Sequence, residues 1–221
     1  MTKALFVGFA TLDIYESKTR LGGAAAVMSL NAQKLDIQAS LLAPLSQDDQ
    51  GQKYQQILEK NGVDTSLCSF TAPSLPTLVL TNPQIQTAQT EFNPNGAIEA
   101  IEDIEVSISD IDQFDLIFCA NAHPNLLQLL IPKLTTTNVF YIPGPQVTKT
   151  LGYLEPEIYP YCLGVFANPI ETPFIVPTKP LESGAQLFIQ TRGSAGGKVI
   201  TQLGEKHVYQ ANKIDNPVDT T

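Results

Sequence analysis

Two places near the beginning of the chain carry residues suited to binding a hydroxylated ligand. Asp13 stands just after an apolar run, and a carboxylate there can accept two hydrogen bonds from the hydroxyl groups of a polyol. Gly22 and Gly23 let a ligand approach the backbone closely, and the N–H groups of a helix that begins there favour polar ligands. Each feature also has a structural interpretation: Asp13 as a surface turn residue, and the glycine pair as a tight turn.

Two places toward the end of the chain suit phosphate and metal chemistry. Asn168 and Glu171 are three residues apart in "NPIE", which puts both on one side of a helical turn, where they can hold water around a metal ion on phosphates. Thr191 and Gly193 in "QTRG" offer a hydroxyl group and a bare backbone to a nucleotide. The alternatives are an N-cap with its capping-box partner for "NPIE" and a strand-end turn for "QTRG".

Several motifs that would define another chemistry do not occur in the 221 residues. No G-x-G-x-x-G follows the first apolar run, so a dinucleotide fingerprint is missing. The stretch "GSAGGKV" has the wrong glycine spacing for a phosphate loop and places Val199 where Ser or Thr must hold magnesium, so we interpret it as a turn. The two histidines, His123 and His207, have no companion Cys or carboxylate cluster, which argues against a catalytic zinc ion.

The charge and the cysteine content limit the partners of the protein. A formal net charge of -9 disfavours binding to nucleic acid and to an anionic membrane surface. Seven acidic residues between positions 99 and 115 are interpreted as a solvated face, with a cation site as the alternative. The three cysteines lie far apart in apolar or neutral surroundings and are predicted to be reduced core thiols. The expected compartment is the cytoplasm.

Apolar runs and helical patterns alternate along the chain, which predicts an α/β fold with right-handed crossovers. The expected buried strands are "KALFVGFA", "QASLLAPLS", "DLIFCAN", "NVFYIPG" and "YCLGVFAN", and the expected helices include "GGAAAVMSLNAQKL" and "QDDQGQKYQQILEKNGV". Open α/β sheets bind ligands at the carboxyl ends of their strands. Polar residues follow or end the predicted strands at such positions: Asp13, Asn121, Asn168 and Thr191.

Two segments depart from this alternation. Residues 75–96 hold two short runs rich in Thr and Val around a Pro-containing turn, which predicts a hairpin exposed on one side. Residues 12–21 have a similar polar character. We expect the two segments to meet in a small separate β-sheet that acts as a lid.

The order of these features resembles the ribokinase-like family of carbohydrate kinases, often called PfkB. The resemblance is collinear over all 221 residues and is most specific in "LGGAAA", "NPIE", "TRGSAGG" and the terminal "VDTT". It implies a three-layer α/β fold, with a mostly parallel central sheet flanked by helices and a small β-sheet lid. It also implies ATP-dependent phosphoryl transfer, with Mg²⁺, to a hydroxyl group of a sugar or nucleoside, and a homodimer formed through the lid.

The same resemblance assigns roles to individual positions. Substrate binding falls on residues of the first 121 positions: Thr11, Asp13, Gly22, Gly23, Val27 and Asn121. Nucleotide and phosphate binding falls on residues near the end: Asn168, Thr191, Gly193, Asp219 and Thr220. Glu171 would organise the magnesium ion.

Two substrate positions depart from the family pattern. The family usually has Asn a few residues after the glycine pair, where this chain has Val27, and sugar kinases often have Asn where this chain has Thr11. A pocket with Val27 would be less polar on one wall. We therefore expect a nucleoside or a less hydroxylated sugar as the substrate in preference to ribose.

The terminal "VDTT" carries a further expectation. In the family, Asp-Thr-Thr continues into a Gly-Ala-Gly-Asp run whose glycines bind the transferred phosphoryl group and whose Asp is the general base. That run is not among the 221 residues, so we expect the C-terminal part of the fold to be missing from them and their kinase activity to be negligible. The alternatives are a non-catalytic homologue that binds a ligand or dimerises, and a generic α/β protein whose strand-end residues match the pattern by coincidence.

Overall fold

The computed structural model describes residues 1–15, 18–81, 89–144, 156–175 and 180–212, and its main feature is an eight-stranded sheet. The strands of this sheet are β1 (Lys3–Val7), β4 (Gln38–Leu42), β9 (Leu116–Ala120), β10 (Val139–Ile142), β11 (Cys162–Ala167), β12 (Leu187–Thr191), β13 (Gly197–Thr201) and β14 (Lys206–Tyr209). Their spatial order is β14-β13-β12-β11-β10-β9-β1-β4. The strands from β12 to β4 pair in parallel, and β13 and β14 add antiparallel pairs at one edge. The predicted mostly parallel sheet is confirmed.

Helices connect the strands. In the described part of the chain the α-helices are α1 (Ala24–Gln33), α2 (Asp49–Lys60), α3 (Ile108–Asp112), α4 (Pro124–Leu130) and α5 (Thr172–Ile175). Short 3₁₀ helices occur at Glu99–Asp103, Ile131–Lys133, Pro156–Tyr161 and Gly193–Ala195. Among the described residues, no helix combines the length and the apolar character that crossing a bilayer requires.

The helices cover both faces of the sheet. Successive side chains of a strand point to opposite faces. Leu5 and Val7 of β1 accordingly pack with apolar side chains of α3 and α4, whereas Ala4 and Phe6 pack with side chains of α1 and α2. Two hydrophobic clusters therefore lie on opposite sides of one sheet, and the predicted three-layer arrangement is confirmed.

A row of stacked rings fixes the centre of the sheet. Phe6, Phe118 and Phe140 lie directly opposite one another on the adjacent strands β1, β9 and β10. The ring centroids of neighbouring members are 5.1 Å apart in both pairs. Because this stacking and the parallel ladders hold the strands in register, the carboxyl ends of β1, β9 and β10 lie along one edge of the sheet.

A second sheet has four short strands, β2 (Thr11–Tyr15), β3 (Lys18–Gly22), β7 (Thr77–Thr81) and β8 (Gln89–Asn93), in the order β3-β2-β7-β8. The pair β2–β3 is antiparallel, β2–β7 is parallel and β7–β8 is antiparallel. These strands come from the two segments, 12–21 and 75–96, that the sequence sets apart. Residues 16–17 and 82–88 of those segments lie outside the described residues, and the lid role stays a prediction.

Two parts of the fold differ from the sequence-based expectation. The predicted continuous strand "QASLLAPLS" is divided, because β4 ends at Leu42 and Pro44–Ser46 forms a separate strand, β5, which pairs in parallel with β6 (Ser69–Ala72). Pro44 has no N–H to donate to a ladder, which explains why the main sheet does not continue through it. Strand β14 is the other difference, since "KHVY" was not predicted as a strand and all four of its residues are exposed.

The acidic segment between positions 99 and 115 forms a 3₁₀ helix and the short helix α3. Several of its apolar residues are buried in the core, among them Ala100, Ile101 and Ile111. Within the described residues, no group of three or more His, Cys, Asp or Glu side chains is arranged to hold a metal ion. Six of its seven acidic residues are exposed, which agrees with the interpretation of the segment as a solvated face.

Candidate functional site

A cavity of about 170 Å³ lies beside the carboxyl ends of β1 and β9 and beneath the four-stranded sheet. Four of the residues predicted to bind substrate line it: Thr11, Asp13, Gly23 and Asn121. Its other described lining residues are Ala24, at the start of α1, and Leu78 and Phe92, on β7 and β8. The cavity thus has a polar floor and an apolar wall that the four-stranded sheet supplies.

Asp13 is the only carboxylate among the described lining residues of this cavity. Its Oδ1 accepts a hydrogen bond of 2.6 Å from the hydroxyl group of Thr11, two residues earlier on β2. Burial raises the pKa of Asp13, and the hydrogen bond from Thr11 opposes that rise. The geometry leaves an oriented, partly desolvated carboxylate that can accept hydrogen bonds from ligand hydroxyl groups.

The glycine pair makes room for this carboxylate. Gly22 is paired with Thr11 across the β2–β3 ladder, and a Cβ on Gly22 would lie 2.1 Å from Oδ2 of Asp13. Gly23 has φ 90°, and a Cβ there would lie 2.2 Å from the carbonyl oxygen of Phe9. Only glycine fits at these two positions, because any side chain would collide with Asp13 or with the backbone after β1.

Tyr54 of α2 supports the same turn from behind and was not predicted from the sequence. Its hydroxyl group donates a hydrogen bond of 2.5 Å to the carbonyl oxygen of Gly22, and its side chain is fully buried. Burial, together with the negative charge of Asp13, raises the pKa of Tyr54. The contact joins residues 32 positions apart, so no local sequence signal identifies it.

Asn121 follows β9 in the left-handed conformation, with φ 51°. Its N–H donates to the carbonyl oxygen of Ile142 at 2.7 Å, and its side chain packs against Gly144, where a Cβ would lie 2.6 Å from Asn121 Oδ1.

Val27 lies in the first turn of α1, where its N–H donates to the carbonyl oxygen of Gly23, and it is not one of the residues that line the cavity.

An aromatic group backs the apolar wall of the cavity. The ring of Phe92 lies 5.6 Å from that of Phe9, and the ring of His123 contacts Phe9 edge-on at 6.4 Å. His123 caps α4, since its Nδ1 accepts a hydrogen bond of 3.2 Å from the N–H of Asn125. Burial lowers the pKa of His123, which favours the neutral ring that this cap requires.

Asn168 and Glu171 lie together at the carboxyl end of β11. Oδ1 of Asn168 accepts hydrogen bonds from the N–H groups of Ile170 and Glu171, at 2.8 and 3.0 Å. Oε2 of Glu171 accepts one of 2.8 Å from the N–H of Asn168. This is the capping box that the spacing allows, and it leaves one carboxylate oxygen of Glu171 outside the reciprocal pair. Burial raises the pKa of Glu171, and its hydrogen bonds with Asn168 oppose that rise.

Thr191 and Gly193 lie at the carboxyl end of β12, the parallel neighbour of β11. Gly193 has φ 54°, and a Cβ there would meet no described atom within 4 Å, so its backbone is open to a ligand. The "GSAGG" stretch forms the 3₁₀ turn between β12 and β13, as predicted. The other two residues predicted to touch phosphate, Asp219 and Thr220, lie outside the described residues.

The two groups of candidate residues share one edge of the sheet without touching. Strand β9 lies beside the cavity, and β12 is the third strand away from it in the sheet. Because neighbouring strands are about 4.8 Å apart, β9 and β12 are separated by roughly 14 Å. The structure therefore gathers four of the six predicted substrate residues around one cavity. It places the described residues that are predicted to bind the nucleotide on two adjacent strand ends farther along the edge.

A model of the pfkB family of carbohydrate kinases matches residues 14–160, about two thirds of the chain. The chain belongs to the PfkB family of carbohydrate kinases. The matched span includes most of the strands of the four-stranded sheet, as well as Gly22, Gly23 and Asn121, and it ends before the nucleotide residues. No curated protein sequence matches the chain.

Solved structures of other kinases share the PfkB fold of this chain. The nucleoside kinase of Methanocaldococcus jannaschii is 20% identical with a TM-score of 0.78, and the match covers 99% of this chain and 79% of that one. The ribokinase of Thermotoga maritima is 16% identical with a TM-score of 0.76, covering 100% and 80% of the two chains. The aminoimidazole riboside kinase of Salmonella enterica, solved with aminoimidazole riboside and an ATP analog, is 16% identical with a TM-score of 0.71, covering 97% and 78%. At these identities the similarity establishes the fold.

Proposed function

We propose that this protein binds a nucleoside or a lightly hydroxylated sugar in the cavity around Asp13. We further propose that it is part of a kinase that transfers a phosphoryl group from ATP to a hydroxyl group of that ligand. The single observation that carries the proposal is the cavity itself. It combines an oriented carboxylate, the backbone of Gly23 and the polar residue Asn121 beneath an apolar wall. Membership of the PfkB family and the ATP analog and riboside bound to the Salmonella enterica enzyme support it.

The walls of the cavity support the proposed substrate class. Asp13 and Asn121 provide hydrogen-bonding groups for sugar hydroxyls on one side. Leu78 and Phe92 on the other side provide apolar surface, and Phe92 offers a ring with π-stacking capacity. A nucleoside, with hydroxyl groups on its sugar and a flat base, complements both sides, whereas ribose would leave the apolar wall without a partner.

The nucleotide would bind at the ends of β11 and β12, where Thr191 and Gly193 offer a hydroxyl group and open backbone. Glu171 is a single carboxylate with one oxygen already engaged by Asn168. Such a group fits a magnesium ion that keeps most of its water and takes its other ligands from phosphates. Magnesium would supply charge neutralisation of the phosphate oxygens, and Glu171 would hold it through water.

The four-stranded sheet is proposed to close over the substrate and to form a homodimer. Its outer strands, β3 and β8, each have one edge that no other strand of that sheet pairs with. Unpaired strand edges are templates for pairing with a second chain. Light scattering should give the mass of a dimer, and the mass of a monomer at all concentrations would remove this part of the proposal.

Catalysis by the 221 residues alone is proposed to be negligible. The Gly-Ala-Gly-Asp run that supplies the general base in the family is not among them. Loss of a general base typically lowers a rate by about 10²–10⁴-fold. Steady ADP formation by the 221-residue polypeptide that depends on an added sugar or nucleoside would contradict this.

The decisive experiment is to sequence the source DNA past the codon for Thr221 and to assay the resulting polypeptide with MgATP and a panel of sugars and nucleosides. If Gly-Ala-Gly-Asp follows, the longer polypeptide should phosphorylate a member of the panel. If a stop codon follows in the natural gene, the kinase proposal fails and the alternative of a non-catalytic ligand-binding homologue takes its place.

A further inference from the structure

Arg192 is a positively charged residue at the carboxyl end of β12, between Thr191 and Gly193. Its side chain is exposed, and its Nη2 donates a hydrogen bond of 3.0 Å to Oε1 of Gln190, two residues earlier on the same strand. The family resemblance assigns the nucleotide to Thr191 and Gly193 and gives Arg192 no role. Its position nevertheless puts a positively charged residue between the two in sequence, at the strand end where the nucleotide is proposed to bind.

Gln190 is an unusual residue for this place because it is a buried amide, with an exposed fraction of only 8%. Both ends of the amide are engaged: Oε1 accepts from Arg192, and Nε2 donates to the hydroxyl group of Thr172 at 3.0 Å. The hydroxyl group of Thr172 donates in turn to the carbonyl oxygen of Asn168 at 2.8 Å. A continuous chain of hydrogen bonds therefore links the guanidinium at the end of β12 to the "NPIE" turn at the end of β11.

The charge of Arg192 is available for a ligand. Among the described residues, no carboxylate forms an ion pair with it, and its contact with Gln190 uses one of its five N–H donors. The protein has a net charge of -9, so an anionic ligand needs local cations to overcome the overall field. A guanidinium group matches the geometry of phosphate oxygens through paired hydrogen bonds.

We propose that Arg192 binds a phosphate group of the nucleotide and that Gln190 is a positioning residue that holds its guanidinium at the strand end. This inference rests on the proposed function, since it assumes that the carboxyl ends of β11 and β12 bind a nucleotide. Arg192 would add a charged contact with phosphate to the proposed nucleotide site. Gln190 and Thr172 would link Arg192 by hydrogen bonds to the "NPIE" turn.

The test compares the dissociation constants of ATP and of adenosine for the 221-residue protein and its variants, measured by calorimetry with Mg²⁺ present. The constant of adenosine is taken from its competition with ATP, so that binding of adenosine in the Asp13 cavity does not enter the comparison. Removing a hydrogen bond to a charged group typically costs enough to weaken binding by about tenfold or more, and R192A should weaken ATP binding by that factor. Adenosine binding should change by less than about twofold, because adenosine has no phosphate to lose a contact with. The dependence of ATP affinity on salt should also decrease in R192A.

Three further variants separate charge from packing. R192M keeps the aliphatic length without the charge and should resemble R192A, and R192K should recover part of the affinity for ATP. Q190L should weaken ATP binding less than R192A does while leaving adenosine unaffected. K60A removes an exposed positive charge at the end of α2, on the β4 side of the sheet, and should bind ATP like the original protein.

The outcomes distinguish the inference from the proposed function. If the unmodified protein binds ATP and R192A and R192M bind it equally well, the inference is overturned and the proposed function stands. Equal weakening of ATP and adenosine would also overturn it, because the residue would then act on the shape of the site and not on phosphate. If the unmodified protein does not bind ATP, the proposed nucleotide site fails and the inference fails with it.

Discussion

The two ends of the candidate site are built in different ways. The cavity at β1, β2 and β9 depends on contacts between residues far apart in the chain, such as the hydrogen bond from Tyr54 to Gly22. The strand ends of β11 and β12 depend mainly on local bonds, such as the capping box of Asn168 and Glu171. The proposed substrate end is therefore shaped by long-range contacts of the fold, whereas the proposed nucleotide end consists of short turns in which neighbouring polar groups bond one another.

The largest expected contrast comes from one glycine at each end. Gly23→Ala places a Cβ 2.2 Å from a carbonyl oxygen at φ 90°, whereas Gly193→Ala adds a Cβ at φ 54° in open space. We expect Gly23→Ala to lower the free energy of unfolding by about 3 kcal/mol or more, through strain and overpacking, and Gly193→Ala by about 1 kcal/mol. Urea denaturation followed by circular dichroism measures both.

Gly204→Ala is the control for this pair, because Gly204 has φ 84° and a Cβ there would meet nothing within 4 Å. Gly204→Ala should lower the free energy of unfolding by about as much as Gly193→Ala does. Similar losses of stability for Gly23→Ala and Gly204→Ala would mean that the turn around Gly23 adapts, and the contrast between a preformed and a locally built end would disappear.

A smaller effect is expected from the hydroxyl group of Tyr54. Tyr54→Phe removes the donor to Gly22 and should lower the free energy of unfolding by about 1 kcal/mol. It should also weaken binding of an acceptor nucleoside by a few fold, because the turn that borders Asp13 loses its support. Fluorescence or calorimetric titration with adenosine and inosine measures the binding.

Ser69→Ala provides the matched control, since Ser69 is also a buried hydroxyl group that donates to a backbone carbonyl, that of Ala100, but away from the cavity. It should lose comparable stability and keep its affinity for nucleosides. If both variants lose affinity equally, Tyr54 acts through general stability and has no specific connection with the substrate end.

The smallest effect is the pH dependence of stability. Burial raises the pKa of Asp13 in the folded state above its unfolded value, so the folded protein binds more protons in the acidic range where Asp titrates. The contribution of Asp13 to the free energy of unfolding should therefore fall as pH rises through that range. Asp13→Asn should remove this contribution, so the stability of the variant should fall less than that of the original protein as the pH rises above about 4. A larger loss in the variant would show that the sign of the shift is wrong.

The sequence predicted the elements whose signals are local. The apolar run of β1 and the Asn61–Gly62 stop of α2 lie where their residue types indicated. The interpretation of "NPIE" as a capping box is likewise visible in its three-residue spacing. These features are predictable because each follows from the conformational preferences of a few neighbouring residues.

The remaining features of the fold and of the candidate site depend on contacts that the sequence does not indicate. The apolar run predicted that one strand continues through Pro44, but the strand of the main sheet ends before it because Pro44 has no N–H to donate. The role of Tyr54 requires α2 to pack beside the glycine turn, and the apolar wall of the cavity comes from Leu78 and Phe92 instead of Val27. Such residues are brought together by the tertiary fold, so residue type and spacing alone could not identify them.

Calorimetric titration of ribose, adenosine and inosine into the protein and into its Asp13→Asn variant at neutral pH tests whether Asp13 binds the hydroxyl groups of a nucleoside. Asp103→Asn, which changes an exposed acid on the 3₁₀ helix at Glu99–Asp103, serves as the control. We predict that a nucleoside binds more tightly than ribose. The loss of two charged hydrogen bonds should then weaken its binding by about 100-fold in Asp13→Asn and leave it unchanged in Asp103→Asn. Equal nucleoside binding by the original protein and Asp13→Asn, or tight binding of ribose without any binding of nucleosides, would contradict the account.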